Sequence, residues 1–178
     1  MLGCKPLRLI TGEERDEFFT SFRVAALHLE MRDSYGTQVE KPHLRKWEQG
    51  EPDDIEWLKP WFDTVRSGTQ SGKTFRRLRI ISEPMTDYMR WVHMDAHLFV
   101  EAGEDIRWLS RRLVSAIALP GNDFWLFDSA TVVFSVFAGN GDVVERQLYT
   151  DAAVVQLCQS AFDAAWEFAV PHSEYTPR

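Results

Sequence analysis

Between Ser82 and Gly103 the apolar residues Met85, Tyr88, Met89, Val92, Ala96, Phe99 and Ala102 recur at spacings of three and four, and beyond Gly103 that period disappears. The first pattern is an amphipathic helix. It is opened by Ser82-Glu83-Pro84 and stopped at Gly103, since glycine ends a helix in the left-handed conformation without steric cost. Short apolar runs separated by turn residues follow: 105–110, 123–127, 131–137 and 143–148, the last two joined by Gly139-Asn140-Gly141. Such runs are strands, and the last pair is a hairpin. A chain with its helices early and a meander of strands late is an α+β domain. The expectation is a central antiparallel or mixed sheet with a C-terminal β-hairpin and helices packed on it.

The first eighty residues fill in the rest. Thr11 caps a helix running to about residue 22, with Glu13 and Glu14 in its first turn and Phe18, Phe19 and Phe22 on its apolar face. In the segment from Ala25 to Tyr35, Leu27, Leu29 and Met31 alternate with His28, Glu30 and Arg32, the period of a strand with one dry face; helix is the competing reading on propensity. A short helix over 40–48 precedes a longer one over 52–65, which is opened by Pro52, striped by Ile55, Leu58, Phe62 and Val65, and broken or kinked at Pro60. A strand over 74–81 follows. Asp151 caps a last helix carrying Val154, Val155, Leu157, Cys158, Phe162, Trp166 and Phe168. No repeat, linker or low-complexity segment divides the chain, so residues 1–178 read as one domain.

Composition excludes several classes. At 44% hydrophobic and 13% aromatic the chain is not disordered. Two cysteines, Cys4 and Cys158, point to a reducing compartment rather than a disulfide scaffold. No apolar run approaches the ~18 residues that a membrane span needs, and Leu2-Gly3-Cys4 lacks the apolar stretch of a lipoprotein signal. A cytoplasmic location without membrane contact is therefore expected. The formal net charge is −7; residues 113–178 hold eight acids against Arg146 and Arg178, a net of −6. This balance repels a nucleic-acid backbone, so no direct nucleic-acid binding is expected.

Several motifs look chemical. Ser67-Gly68-Thr69-Gln70-Ser71-Gly72-Lys73-Thr74 resembles a phosphate-cradling loop, but it has Ser where the first Gly belongs and connects a helix to a strand, the reverse of the order such a loop needs. His93, His97 and Glu101 stack at spacings of four, yet Met94 stands where a zinc-protease helix carries Glu; no metal and no cofactor are assigned. Arg77 and Arg79 share one face of their strand and suit bidentate recognition of phosphate or carboxylate, or pairing with carboxylates on neighbouring strands. Glu104 and Asp105, with Arg107, and Asp123 and Asp128 at the two ends of an apolar strand, could do acid–base work or cap turns. No Ser or Cys sits in a nucleophile signature, so no catalytic residue is assigned.

The segments 29–35 (Leu-Glu-Met-Arg-Asp-Ser-Tyr), 79–90 (Arg-Ile-Ile-Ser-Glu-Pro-Met-Thr-Asp-Tyr-Met-Arg), 102–109 (Ala-Gly-Glu-Asp-Ile-Arg-Trp-Leu) and 123–128 (Asp-Phe-Trp-Leu-Phe-Asp) together resemble a family of actinobacterial domains of unknown function, often encoded beside helix-turn-helix regulators. The resemblance runs over about residues 20–170. Positions matching the family's polar pattern are Glu30, Arg32, Asp33, Tyr35, Arg79, Glu83, Tyr88, Arg90, Glu104, Asp105, Arg107, Asp123 and Asp128. It implies a single-domain cytoplasmic protein acting with a regulator. The leading expectation is a non-catalytic binding or regulatory domain with a protein partner such as a helix-turn-helix DNA-binding regulator. The alternative is an enzyme acting on a phosphorylated or anionic small molecule through an Arg/carboxylate pocket. The candidate binding residues are Arg77, Arg79, Glu83, Tyr88, Arg90, Glu104, Asp105, Arg107, Asp123 and Asp128.

Overall fold

Eight strands form one mixed sheet in the order β1-β7-β6-β5-β2-β3-β4-β8. The computed structural model describes residues 8–177; Cys4 and the Leu2-Gly3-Cys4 segment lie outside them. The strands are β1 (Arg8–Leu9), β2 (Ala25–Glu30), β3 (Thr74–Ile81), β4 (Glu104–Ser110), β5 (Asp123–Phe127), β6 (Thr131–Phe137), β7 (Val143–Tyr149) and β8 (Val170–Pro171). Strands β2, β3 and β4 run parallel. All other neighbours are antiparallel. Strand β2 is the point of change, with parallel β3 on one side and antiparallel β5 on the other.

The helices are α1 (Gly12–Ser21), α2 (Lys41–Glu48), α3 (Lys59–Gln70), α4 (Asp87–Ala102) and α5 (Ala152–Trp166). Helix α1 begins with a full capping box: Glu14 N–H donates to the Thr11 hydroxyl, and Thr11 N–H donates to the Glu14 carboxylate. Helix α5 begins at Asp151, whose carboxylate accepts from the N–H groups of Ala153 and Val154.

Alternation along the strands sends two different sets of side chains to the two faces. One face, carrying Leu27, Leu29, Leu78, Ile80, Phe124 and Leu126, packs against Val154, Cys158, Phe162 and Ala165 of α5. The other face is covered by α1, α3 and α4 and holds two apolar clusters. Phe19, Phe62, Val65 and Phe75 build one with Trp125 and Phe127; Met89, Trp91 and Trp108 build the other with Ile81 and Ile106. Between them lies a stretch of sheet that is charged.

The α+β domain with a mixed sheet and a C-terminal hairpin is thus the observed fold. Three local expectations are corrected. The helix expected over 52–65 is α3, beginning at Lys59 after a single 3-10 turn over Glu56–Leu58. Pro60 lies in its first turn, where the missing N–H costs nothing, so no kink forms there. The strand expected to reach Tyr35 ends at Glu30. The long helix opens at Thr86, whose hydroxyl accepts from Met89 N–H, rather than at Ser82. Among the described residues no helix is long and apolar enough to cross a membrane.

Candidate functional site

The charged stretch of sheet follows from strand register. Opposite residues run in one row across the sheet: Arg146 pairs with Ser135, and Ser135 with Asp123. The pairing of Leu29 with Phe124 sets Glu30 beside Asp123. Glu30 in turn pairs with Arg79, and Arg79 with Trp108. The parallel row below it runs Val133, Trp125, His28, Arg77 and Ile106. Because β2 and β3 are parallel and β5 is reversed, these rows lie toward the carboxyl end of β2. In open mixed sheets the chain diverges there and leaves a crevice. Helix α4, the loop after β2 and the N-terminal part of the chain wall it into a cleft of about 420 Å³, lined among others by Arg15, His28, Glu30, Tyr35, Glu40, Trp57, Arg77, Arg79, Tyr88, Trp91, Asp95, Asp123, Trp125, Ser135 and Arg146.

The floor is an ion-pair network. Arg77 Nη1 donates to Glu30 Oε1 at 2.7 Å and Arg77 Nε to Glu104 Oε1 at 2.7 Å. Arg79 Nη1 stands 2.6 Å from Glu30 Oε2. Glu104 also accepts from Trp61 Nε1 at 3.1 Å. Burial works against the charge on Arg77, but the carboxylates of Glu104 and Glu30 outweigh it and hold the guanidinium more basic than usual. Trp61, Phe99 and Trp125 ring that guanidinium at 5.6–5.8 Å, so aromatic faces replace part of its lost hydration. Two arginines and two carboxylates make this floor internally neutral.

One end of the cleft is acidic. Asp123 accepts from Met31 N–H at 2.9 Å and, through its other oxygen, from the Tyr35 hydroxyl. Burial pushes its carboxyl up to about 6, against the lowering effect of the Tyr35 hydrogen bond. Beside it the Tyr88 hydroxyl donates to Glu40 at 2.8 Å, and burial raises the Glu40 carboxyl as well. The other end is cationic. His28, stacked on Trp125 with ring centroids 4.0 Å apart, is kept neutral by burial and by the charges of Arg77, Arg79 and Arg15. Arg146 Nε is buried without a hydrogen-bond partner. Burial and the nearby charge of Arg15 both lower its basicity, with Asp16 acting the other way.

Of the sequence-derived candidates, the structure brings Arg77, Arg79, Tyr88 and Asp123 to this cleft and places Glu104 against its floor. The others lie elsewhere. Asp128 caps the start of β2 by accepting from the N–H groups of Arg23, Val24 and Ala25. Arg90 pairs with Asp87 one helical turn away. Asp105 and Arg107 pair with each other, and the Arg107 guanidinium lies 4.2 Å from the Trp166 ring centroid on the opposite face. Glu83 accepts from the Tyr175 hydroxyl at 2.7 Å.

Lys73 of the phosphate-loop lookalike donates to the Thr20 carbonyl, at the helix-to-strand connection. His97 Nδ1 is 2.8 Å from the Met94 carbonyl oxygen. Among the described residues no three His, Cys, Asp or Glu side chains group as metal ligands. Sequence reasoning passed over Arg15, His28 and Arg146. His28 had a signal, because it stands two residues before Glu30 on the polar face of an alternating strand.

These features define a mixed-sheet α+β domain with a charged, aromatic-walled cleft at the carboxyl end of its parallel strands. The chain belongs to the family of domains of unknown function DUF6879, which it matches over residues 13–177. No curated protein matches the sequence. Among solved structures it resembles TrmBL2, an archaeal chromatin protein described as showing a novel mode of DNA binding, with a TM-score of 0.52 and 12% identity over 95% of this chain and 55% of that one. It spans about half of that chromatin protein. It also resembles NucT from Helicobacter pylori, with a TM-score of 0.51 and 10% identity over 92% of this chain and 96% of that one. Identities this low speak for the fold alone.

Proposed function

We propose that this chain is a non-catalytic binding domain with a regulatory role, and that its central cleft takes a small anionic molecule. One observation carries the reading: a cleft of about 420 Å³, walled by aromatic rings, gathers Arg15, Arg79, Arg146 and His28, and three of these keep a buried nitrogen without a hydrogen-bond partner. Buried polar atoms are almost always satisfied, so such a group is suited to a ligand that completes it. The regulatory part rests on association. The family resemblance carries a gene neighbourhood with helix-turn-helix regulators, and the −6 charge of residues 113–178 complements a basic DNA-binding protein better than it does DNA. A cytoplasmic location fits the same reading.

The test is thermal unfolding with a panel of organic phosphates and carboxylates, run on the natural chain and on Ser135→Phe, which fills the centre of the cleft. At least one compound raises Tm in the natural chain and fails to do so in Ser135→Phe. A panel that leaves Tm unchanged throughout contradicts the reading. Co-purification with the neighbouring regulator tests the partner, and two folded proteins that stay apart at micromolar concentration count against it.

Asp123 favours a second reading, an enzyme acting on an anionic small molecule. A carboxyl held at about 6 beside arginines is suited to proton transfer near neutrality. Turnover abolished by Asp123→Asn would establish it.

A further inference from the structure

The cleft's charges are not spread evenly, and the imbalance says where an anion belongs. Arg77 and Arg79 are matched by Glu30 and Glu104, so the floor offers no net charge. At the far end stand the buried acids Asp123 and Glu40, each accepting from a tyrosine hydroxyl. The excess cation is at the opposite end: Arg146 makes no ion pair with a carboxylate among the described residues, and Arg15 shares its charge only with the exposed Asp16. These two guanidiniums are close enough for the charge of Arg15 to depress the basicity of Arg146. The Arg146 guanidinium lies over the first residue of α1, where a Cβ on Gly12 would come within 3.7–3.8 Å of it. Both guanidiniums line the cleft, and two like charges at one end of a cleft repel until an anion sits between them.

Register fixes what lies between the two ends. Arg146, Ser135 and Asp123 are consecutive in one row across β7, β6 and β5, so the backbones of the arginine and the acid stand about 10 Å apart, two strand spacings. The middle position is filled only by the small Ser135 side chain, beside Phe137 and the Trp125–His28 stack. That middle position has room for a planar ring against an aromatic wall. Resting on the binding role proposed above, we infer that the cleft takes a planar molecule bearing a terminal oxyanion. The oxyanion sits between Arg15 and Arg146, and the ring lies over Ser135 against Trp125, with its far edge toward the Asp123–Tyr35 pair.

Calorimetric titration of the full chain with 2-naphthyl phosphate, 2-naphthoate and inorganic phosphate tests this. At least one naphthyl probe binds saturably and at least about tenfold more tightly than inorganic phosphate, and which of the two is tighter separates phosphate from carboxylate recognition. Arg146→Ala weakens that probe by about tenfold or more, Arg146→Lys by less, because a lysine keeps the charge but not the fork. Arg107→Ala, on the opposite face, leaves it unchanged. Arg146 is only half-buried on its strand, and an unchanged unfolding midpoint in Arg146→Ala separates lost binding from lost fold. Binding that is abolished by Ser135→Phe yet indifferent to Arg146→Ala would overturn the inference and leave the cleft reading standing. Failure of both naphthyl probes on the natural chain would also overturn it, while the wider anion panel then decides the cleft reading alone.

Discussion

Arg77 keeps its charge where water barely reaches it because Glu30 and Glu104 meet it from two neighbouring strands. Removing one partner of a buried pair is costlier than the pair itself is worth, since the remaining charge stays desolvated. Arg77→Met leaves Glu104, which is 1% exposed, with only Trp61 as a partner. It is expected to cost about 3–5 kcal/mol, read as a lower urea midpoint. Asp123 makes a pH-dependent prediction. Its carboxyl ionises near 6 in the fold against an ordinary 3.8, so the native state holds the extra proton between those values. The stability this group contributes is full below pH 3.8 and is lost as pH rises through 6. The unfolding free energy of the natural chain relative to Asp123→Asn should therefore fall by about 2 kcal/mol between pH 4 and pH 7. A difference independent of pH would show that Asp123 is not held protonated. At this scale the sequence was half legible: alternation placed Arg77 and Arg79 on one face, and the family-like pattern included Glu30 and Tyr35. Arg146 was invisible, because nothing local marks an isolated arginine in an acidic stretch. Its neighbours Ser135 and Arg15 arrive through strand register and from a helix more than a hundred residues away.

Among the elements, those with a clean period were legible almost to the residue. Strands β5 and β6 match the apolar runs at 123–127 and 131–137, and α5 begins at its Asp151 cap. Helix α3 was misplaced because Pro52 and the acids after it mimic a helix start, while Asp53 instead meets the His43 ring at 2.7 Å and pairs with Lys46 at 3.0 Å. The two-residue strands β1 and β8 carry no pattern of their own and exist only as partners of β7 and β4. Helix α5 packs on the face opposite the cleft, together with Val114 and the loop after it, and Phe162 is the largest fully buried side chain of α5, 1% exposed. Phe162→Ala should cost about 3–5 kcal/mol. It should leave anion binding unchanged, since the sheet lies between them. Equal loss of binding and stability would mean that the two faces are not separable.

For the molecule as a whole, the division of labour follows from the sheet. One face is a dry core under α5; the other is interrupted by a row of charges that opens into a cleft where β2 turns from parallel to antiparallel neighbours. Net charge was legible from composition. The cleft was not, because it is assembled from five strands, helices α1 and α4, the 3-10 turn before α3 and the loop after β2. Its tryptophans allow the most direct test of the central claim that this cleft is the binding site. In 1H–15N spectra, the indole N–H signals of Trp57, Trp91 and Trp125, which line it, should shift on titration with a bound anion. That of Trp166, which stacks on Phe162 across the sheet, should stay in place. Shifts at Trp166 with the three cleft indoles unmoved would contradict the account.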